Sequence, residues 1–183
     1  MVKINKSEIP EHISCILSGD ELERIVKNTD SLIDIAYDLI EIEEYENSLD
    51  LLTYCYELHG FTPDLLNGLA VAYSEMDQSH KALRIMKKAS DMYPDDAVTL
   101  ANTATLFWEN GDYAKAIYYY NLAIKENNTL LDAYINLINL HYECGDIFIA
   151  FITCLKILQV FPDDRQILDL RDELIFDMAI SFS

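Results

Sequence analysis

Apolar residues recur along most of the chain at spacings of three, four and seven, which places them on one face of an α-helix. Only 5 Gly and 4 Pro interrupt the 183 residues. The segments between these breaks are long enough for helices and longer than typical strands. The pattern therefore predicts an all-α protein.

The pattern repeats with a period of 34 residues. The turn sequences ENGDYAKAI (109–117) and ECGDIFIAF (143–151) lie 34 residues apart, and the helix ends MYPDD (92–96) and VFPDD (160–164) lie 68 residues apart. Four windows then align without a gap: 29–62, 63–96, 97–130 and 131–164. Their eighth and twentieth positions are mostly small and their fourth, twenty-first and twenty-fourth are mostly large, which predicts a hairpin of two closely packed helices in each window.

This arrangement resembles the tetratricopeptide repeat family. Window 97–130 matches best, through Leu100, Ala104, Phe107, the turn Gly111-Asp112-Tyr113, Ala116, Tyr120 and Ala123. The turns depart from the pattern in window 63–96, which has Asp77-Gln78, and in window 29–62, which has Glu43-Glu44. The resemblance implies a right-handed superhelix of four helical hairpins, whose first helices line a concave groove that holds a peptide or helix of a partner.

The residues outside the four windows predict helices that cover the two ends of the array. Residues 165–183 have apolar residues at three- and four-residue spacing, which predicts a C-terminal capping helix. Residues 1–28 predict an N-terminal helical extension of two short helices. Ser7 is the predicted cap of the first, and Asp20 with Glu23 is the predicted capping box of the second.

The composition excludes several classes of protein. The chain carries 13 Lys+Arg against 32 Asp+Glu, a net charge of −19, which opposes binding to nucleic acid or to an anionic membrane. No segment is apolar enough for a signal peptide or a membrane span. The spacing of the four cysteines favours neither a metal site nor a disulfide framework: Cys15, Cys55, Cys144 and Cys154. We therefore expect a cytoplasmic protein.

Catalytic and cofactor motifs are missing from the sequence. It contains no HExxH, GxSxG, GxxxxGK or GxGxxG, so we expect no enzyme, no cofactor and no metal site. His141 and Cys144, three residues apart on a predicted helix, come nearest to a pair of metal ligands. Core packing is favoured for His141, because the equivalent positions of the other windows hold Leu39, Tyr73 and Phe107.

The resemblance places certain positions of each first helix in the groove. The thirteenth residue is Glu in all four windows, and Trp108, the only Trp, precedes one of them. Tryptophan is enriched among interface anchors, and asparagine amides can hold an extended backbone. The predicted groove residues are Tyr37, Glu41, Asn67, Glu75, Asn102, Trp108, Glu109, Ile135, Asn136, Asn139, Tyr142 and Glu143.

The charge of these positions predicts the partner. They include no Lys or Arg, so we do not expect binding of the acidic chaperone C termini that some members of the family hold with a Lys, Asn and Arg clamp. Between Asn28 and His80 there are 12 acids and no Lys or Arg. We expect a basic-amphipathic peptide or helix. Two alternatives stay open: the acids only solubilise the protein, and Trp108 packs against the next hairpin.

The basic residues form one island on the predicted second helix of window 63–96. It is either ordinary surface charge or a second contact site, and its members are Lys81, Arg84, Lys87 and Lys88.

The predicted function is that of a noncatalytic scaffold or adaptor that binds another protein. The alternative is a dedicated assembly or secretion chaperone that acts as a homodimer through residues 7–28, by analogy at the level of fold alone.

Overall fold

The structure is a computed structural model that describes residues 9–27 and 31–181. Within these residues the chain is all-α, with eleven helices and no strand. The helices are α1 (Glu11–Ile16), α2 (Gly19–Lys27), α3 (Ser31–Glu41), α4 (Tyr45–His59), α5 (Pro63–Glu75), α6 (Ser79–Met92), α7 (Ala97–Glu109), α8 (Tyr113–Glu126), α9 (Leu131–Glu143), α10 (Ile147–Leu158) and α11 (Arg165–Ser181).

The chain divides into two compact units, one within residues 1–89 and one within residues 90–183. The first unit has a continuous apolar cluster to which α1 to α5 all contribute, with Ile13, Leu32 and Leu51 fully buried. In the second unit a cluster from α9, α10 and α11 includes Ile138, Cys154 and Ile167, all at most 1% exposed. Each unit therefore has its own core.

Small residues let the two helices of a hairpin pack closely. In α3 and α4 these positions are Ala36 and Ser48, both fully buried, and the Ser48 hydroxyl donates to the Ala36 carbonyl oxygen at 2.8 Å. The equivalent second-helix positions hold Ala82, Ala116 and Ala150, which are also fully buried. Burial of the small positions agrees with the interpretation of the 34-residue pattern as helical hairpins.

The first helix of every hairpin ends in the same turn. One residue donates its backbone N–H to a carbonyl five residues earlier, at 2.8 to 2.9 Å: Glu44 to Leu39, Gln78 to Tyr73, Asp112 to Phe107 and Asp146 to His141. The residue before each donor has a positive φ, namely Glu43 (66°), Asp77 (58°), Gly111 (76°) and Gly145 (81°). These are the features of a Schellman turn, and glycine occupies its left-handed position in only two of the four hairpins.

The aspartates that follow Pro94 and Pro162 cap the next helices, as the sequence predicts. Asp96 Oδ2 accepts from the backbone N–H of Thr99 at 2.8 Å, and Asp164 Oδ1 accepts from that of Ile167 at 3.1 Å. Each carboxylate satisfies a backbone donor that the first turn of a helix leaves unpaired. The prediction that these sequences are turns with a capping Asp is confirmed.

The predicted capping box of Asp20 and Glu23 is wrong. Ser18 and Glu21 form it instead: the Ser18 N–H donates to Glu21 Oε2 at 2.7 Å, and the Glu21 N–H donates to Ser18 Oγ at 3.3 Å. The physical reason is that α2 already begins at Gly19, so Asp20 lies inside its first turn. Ser7, the predicted cap of α1, lies outside the described residues.

Four apolar side chains of α1, α2 and the two residues between these helices face inward. Ile13, Leu17, Leu22 and Ile25 are at most 8% exposed and belong to the same cluster as the first hairpin. The part of residues 7–28 that the structure describes thus buries its apolar face within its own unit. Along residues 9–27 and 31–181, none of the helices is both long and apolar enough to cross a bilayer.

Candidate functional site

In the second unit, the first helices α7 and α9 bring two predicted groove residues into direct contact. The indole N–H of half-buried Trp108 donates to Glu143 Oε2 at 2.7 Å. The other oxygen of the same carboxylate, Oε1, accepts from the Tyr113 hydroxyl at 2.7 Å, and this hydrogen bond raises the pKa of Tyr113. Glu143 therefore fixes two aromatic side chains from the preceding hairpin, which is a role that the sequence analysis did not assign to it.

The same contact recurs between α9 and α11. The Tyr142 hydroxyl donates to Asp177 Oδ2 at 2.6 Å, across the same 35-residue separation as Trp108 and Glu143, and this hydrogen bond raises the pKa of Tyr142. Asp177 lies 34 residues after Glu143, so α11 continues the register of the first helices. The capping helix thus supplies a fifth acid, Asp177, at the position that is Glu in all four windows. The sequence analysis missed this residue, although the period could have identified it.

An open depression of about 410 Å³ surrounds Trp108. Acidic and aromatic side chains dominate its wall, and none of the lining residues is Lys or Arg. The residues that line it are Thr105, Trp108, Glu109, Gly111, Tyr113 and Glu143. An aromatic ring beside carboxylates attracts a cation through both the ring quadrupole and the negative charges. This depression has the chemistry to bind a Lys or Arg side chain.

A second, smaller depression of about 170 Å³ lies between α9 and α11. Its lining is mainly apolar, through Ile138, Leu170 and Leu174. The polar groups in the lining belong to Asn139, Tyr142 and Glu173. Its size suits one apolar side chain rather than a drug-sized ligand. The two depressions share α9 as a wall, so the unit offers an acidic and an apolar subsite on neighbouring positions.

The predicted asparagines and Ile135 of the second unit have different surroundings. Asn136 is half-buried and hydrogen bonds to the hydroxyl of Tyr120, a fully buried side chain that also pairs with Thr105 Oγ1 at 2.8 Å. Ile135 packs against the apolar cluster of α9 to α11. Asn139 contributes to the smaller depression, while Asn102 is half-buried and has no side-chain hydrogen bond to any of the residues that the structure describes.

In the first unit the predicted groove residues differ in accessibility. Glu41 and Glu75 are exposed, whereas Tyr37 is half-buried, and burial together with the charge of Asp64 raises its pKa. Asn67 is only 4% exposed, and its Oδ1 finds no hydrogen-bond partner in the described part of the chain. Among the predicted groove residues of this unit, these two glutamates are the acids exposed to a partner.

The basic island on α6 rests partly on aromatic rings. The Lys88 Nζ lies 4.0 Å from the centroid of Phe61, and the Lys81 Nζ lies 5.0 Å from that of Tyr73, within cation–π range. Arg84 and Lys87 are exposed. Local packing thus accounts for part of the island, and its role as a second contact site stays a prediction.

The position of His141 fits the packing interpretation. His141 is 7% exposed, and burial lowers its pKa, whereas Cys144 is exposed on the following turn. Among the described residues, no three His, Cys, Asp or Glu side chains group as metal ligands. All four cysteines are free.

One family model matches part of the chain. Residues 63–96, the second predicted window, match the family model described as tetratricopeptide repeat. No curated protein sequence matches the chain.

Solved structures show similarity over most of the chain. TTC0263, a thermophilic tetratricopeptide repeat protein of Thermus thermophilus, has a TM-score of 0.72 and 17% identity over 87% of both chains. The first tetratricopeptide domain of Spaghetti (RPAP3), bound to the HSP90 peptide SRMEEVD, has a TM-score of 0.57 and 18% identity over 64% of this chain and 95% of that one. For Naa15/Naa10 bound to HypK-THB these values are 0.67 and 16% over 79% of this chain, which spans only 22% of that chain's length.

The protein thus has the all-α tetratricopeptide-repeat fold, and the resemblance predicted from the sequence is confirmed. Proteins with this fold generally serve as noncatalytic modules of protein–protein interaction, and one of the similar structures holds a bound peptide.

Proposed function

We propose that the protein is a noncatalytic scaffold or adaptor whose second unit binds a basic-amphipathic peptide or helix of a partner protein. The observation that carries the proposal is the depression around Trp108, where an aromatic ring held by Glu143 lies beside Glu109 with no Lys or Arg in the wall. A Lys or Arg of the partner would occupy this depression, and an apolar side chain would enter the one between α9 and α11.

Preorganisation supports binding at this place. The hydrogen bonds from Trp108 and Tyr113 to Glu143 hold both rings before a ligand arrives, so less side-chain freedom is lost on binding. Each Glu143 oxygen accepts one hydrogen bond in the structure and retains capacity to accept another from a ligand. The site would therefore bind without a large rearrangement.

The charge of the wall selects against an acidic ligand. The peptide in the Spaghetti (RPAP3) structure, SRMEEVD, contains three acidic residues. The depressions of this chain are lined by Glu109, Glu143 and Glu173, so a peptide of that composition would meet like charge. We therefore propose a ligand with a net positive charge. We also propose that the protein resides in a reducing cytoplasm, which is consistent with its four free cysteines.

Selection from a displayed library of random peptides against the immobilised protein tests this function. We expect the enriched peptides to combine Lys or Arg with large apolar residues, and we expect Trp108→Ala combined with Glu109→Lys to abolish their binding. Asp95→Lys is the charge control, because Asp95 is exposed in the same unit but does not line either depression, and Trp108 is retained. Enrichment of acidic peptides, or equal loss of binding in the double variant and in Asp95→Lys, would contradict the proposal.

A further inference from the structure

The outward side of α10 is apolar and uncovered. Phe148 is 67% exposed, Ile149 45%, and Ile152 and Leu155 37% each. These residues follow one another at i, i+1, i+4 and i+7, which places them on one helical face. The opposite side of α10 buries Ala150, Cys154 and Ile157 in the core of the second unit. We call the four exposed residues the α10 stripe.

Hairpin packing does not require these apolar residues. The corresponding positions, earlier by multiples of 34 residues, are mostly polar in the other second helices: Glu46, Asn47, Asp50 and Thr53 in α4, His80, Lys81, Arg84 and Lys87 in α6, and Ala114, Lys115, Tyr118 and Asn121 in α8. The same fold therefore accepts polar side chains at this face in three hairpins. Only in the fourth hairpin are all four positions large and apolar, which is a feature of interaction surfaces rather than of the hairpin itself.

Opposite charges lie at the two ends of the α10 stripe. Asp146 precedes α10, and its side chain is 52% exposed, 3.9 Å from Nδ1 of buried His141. Its carboxylate does not cap α10, in contrast to Asp112, which accepts from the Lys115 N–H at the start of α8. Lys156 is exposed near the other end, and α10 itself contains no acid. In a chain with a net charge of −19, this is a surface that a second copy can approach with little repulsion.

We propose that the α10 stripe is a symmetric contact between two copies of this chain, in which the two α10 helices pack antiparallel about Ile152. In that register residue 148 of one helix faces residue 156 of the other, so Lys156 reaches both the ring of Phe148 and the carboxylate of Asp146 in the second copy. The two-fold axis makes each of these contacts twice. The acid at one end and the base at the other are what such an antiparallel pair needs.

The size of the surface sets the strength of the contact. α10 has 12 residues and is therefore about 18 Å long. A single pair of such helices buries less than the roughly 800 Å² per partner of a standard stable interface. The dimer is consequently weak, and the fraction of the chain that is dimeric rises with protein concentration.

Sedimentation velocity of the full chain over a concentration series is the primary test. We expect a shift from monomer to dimer as concentration rises, and Leu155→Asp should weaken the association by roughly a hundredfold, because each copy would bury an unpaired carboxylate. Asn121→Asp is the matched control: it introduces a negative charge at the same position of α8 and should leave association within about twofold of wild type. Circular dichroism of both variants checks that the helices are retained.

Two further experiments, a disulfide cross-link and a charge exchange, report on the antiparallel register. Ile152→Cys, in a chain whose exposed cysteines are replaced (Cys15→Ser and Cys144→Ser), should form a disulfide-linked dimer, whereas Tyr118→Cys in the same background should not. Lys156→Glu should weaken the dimer, and adding Asp146→Lys should restore it. The proposal is overturned if the wild-type chain stays monomeric throughout the concentration series. It is also overturned if a dimer forms and neither Leu155→Asp nor Lys156→Glu changes its dissociation constant.

Discussion

Four residues at the same position of the repeat adopt the left-handed conformation, and they differ in how well they tolerate it. Gly111 and Gly145 have no Cβ and accept a positive φ without strain, whereas Glu43 and Asp77 do not have this freedom. The chain nevertheless forms the same backbone hydrogen bonds in all four turns. Tertiary packing therefore imposes the turn on two hairpins whose sequences do not favour it.

This difference predicts opposite effects of substitution. Asp77→Gly should raise the free energy of unfolding by a few tenths to about 1 kcal/mol, since the relief of strain exceeds the entropy that glycine adds to the unfolded chain. Gly111→Ala should lower it by about 1 kcal/mol, because alanine brings a Cβ into the left-handed region. Equilibrium urea unfolding measures both. If Asp77→Gly destabilises the protein, the turn is not strained.

His141 makes stability depend on pH. Burial lowers its pKa below the usual 6.5, while Asp146 opposes the shift. In the window below about pH 6.5 the unfolded chain therefore binds more protons than the folded chain. The contribution of His141 is complete above that window and is lost as the pH falls through it towards the folded pKa.

Replacement by the residue of another hairpin should remove this dependence. We expect His141→Phe, which matches Phe107, to lose less stability than wild type when the pH falls from about 7 to about 5. Urea unfolding across this range gives the comparison, and a substitution of exposed His80 by Gln serves as the control. If the free energy of unfolding depends on pH in the same way in wild type and in His141→Phe, the imidazole binds no additional proton on unfolding.

At the scale of the helices, much of the architecture can be predicted from the 34-residue period. Large and small positions predict the hairpins, and Asp96 and Asp164 are predictable as caps because they follow Pro in a turn. The capping box of Ser18 and Glu21 was predictable in principle, since it has the Ser-x-x-Glu pattern. The hydrogen bond between Trp108 and Glu143 was not predictable, because it depends on side-chain rotamers and on the distance between two helices, neither of which the sequence specifies.

The C-terminal helix is more than a solvating cover. It continues the register of the first helices, so Asp177 pairs with Tyr142, and it also completes the core of the second unit. Extending the period by one more window would have predicted this role. The spacing of three and four residues also distinguishes the buried apolar residues of α11 from the exposed ones, because it places Leu174 on the apolar face with Ile167 and leaves Phe176 off it.

Leu174 and Phe176 form a matched pair for a stability test. Leu174 is 2% exposed in the cluster of α9 to α11, so Leu174→Ala should cost about 2–4 kcal/mol. Phe176 is 65% exposed, and Phe176→Ala should change stability by no more than about 0.5 kcal/mol. Thermal and urea unfolding provide the values. A larger loss for Phe176→Ala than for Leu174→Ala would mean that α11 packs with its other face.

At the scale of the whole molecule, the net charge of −19 is distributed unevenly. The stretch from Asn28 to His80 has no Lys or Arg, while four of the 13 basic residues lie on α6. Within the second unit, acids line both depressions, whereas α10 has none. The two depressions and the acid-free α10 stripe therefore occur at different places, which fits separate roles in partner binding and self-association.

The proposed binding of a basic-amphipathic ligand in the depression around Trp108 is tested most directly by the fluorescence of this tryptophan, the only one in the chain. A synthetic helix of Lys and Leu, titrated into the protein, should change the Trp108 emission saturably. Its affinity should fall with salt and drop at least about tenfold in Glu109→Lys, but not in Asp95→Lys. An unchanged emission, or an equal response to a peptide with Glu in place of Lys, would contradict the account.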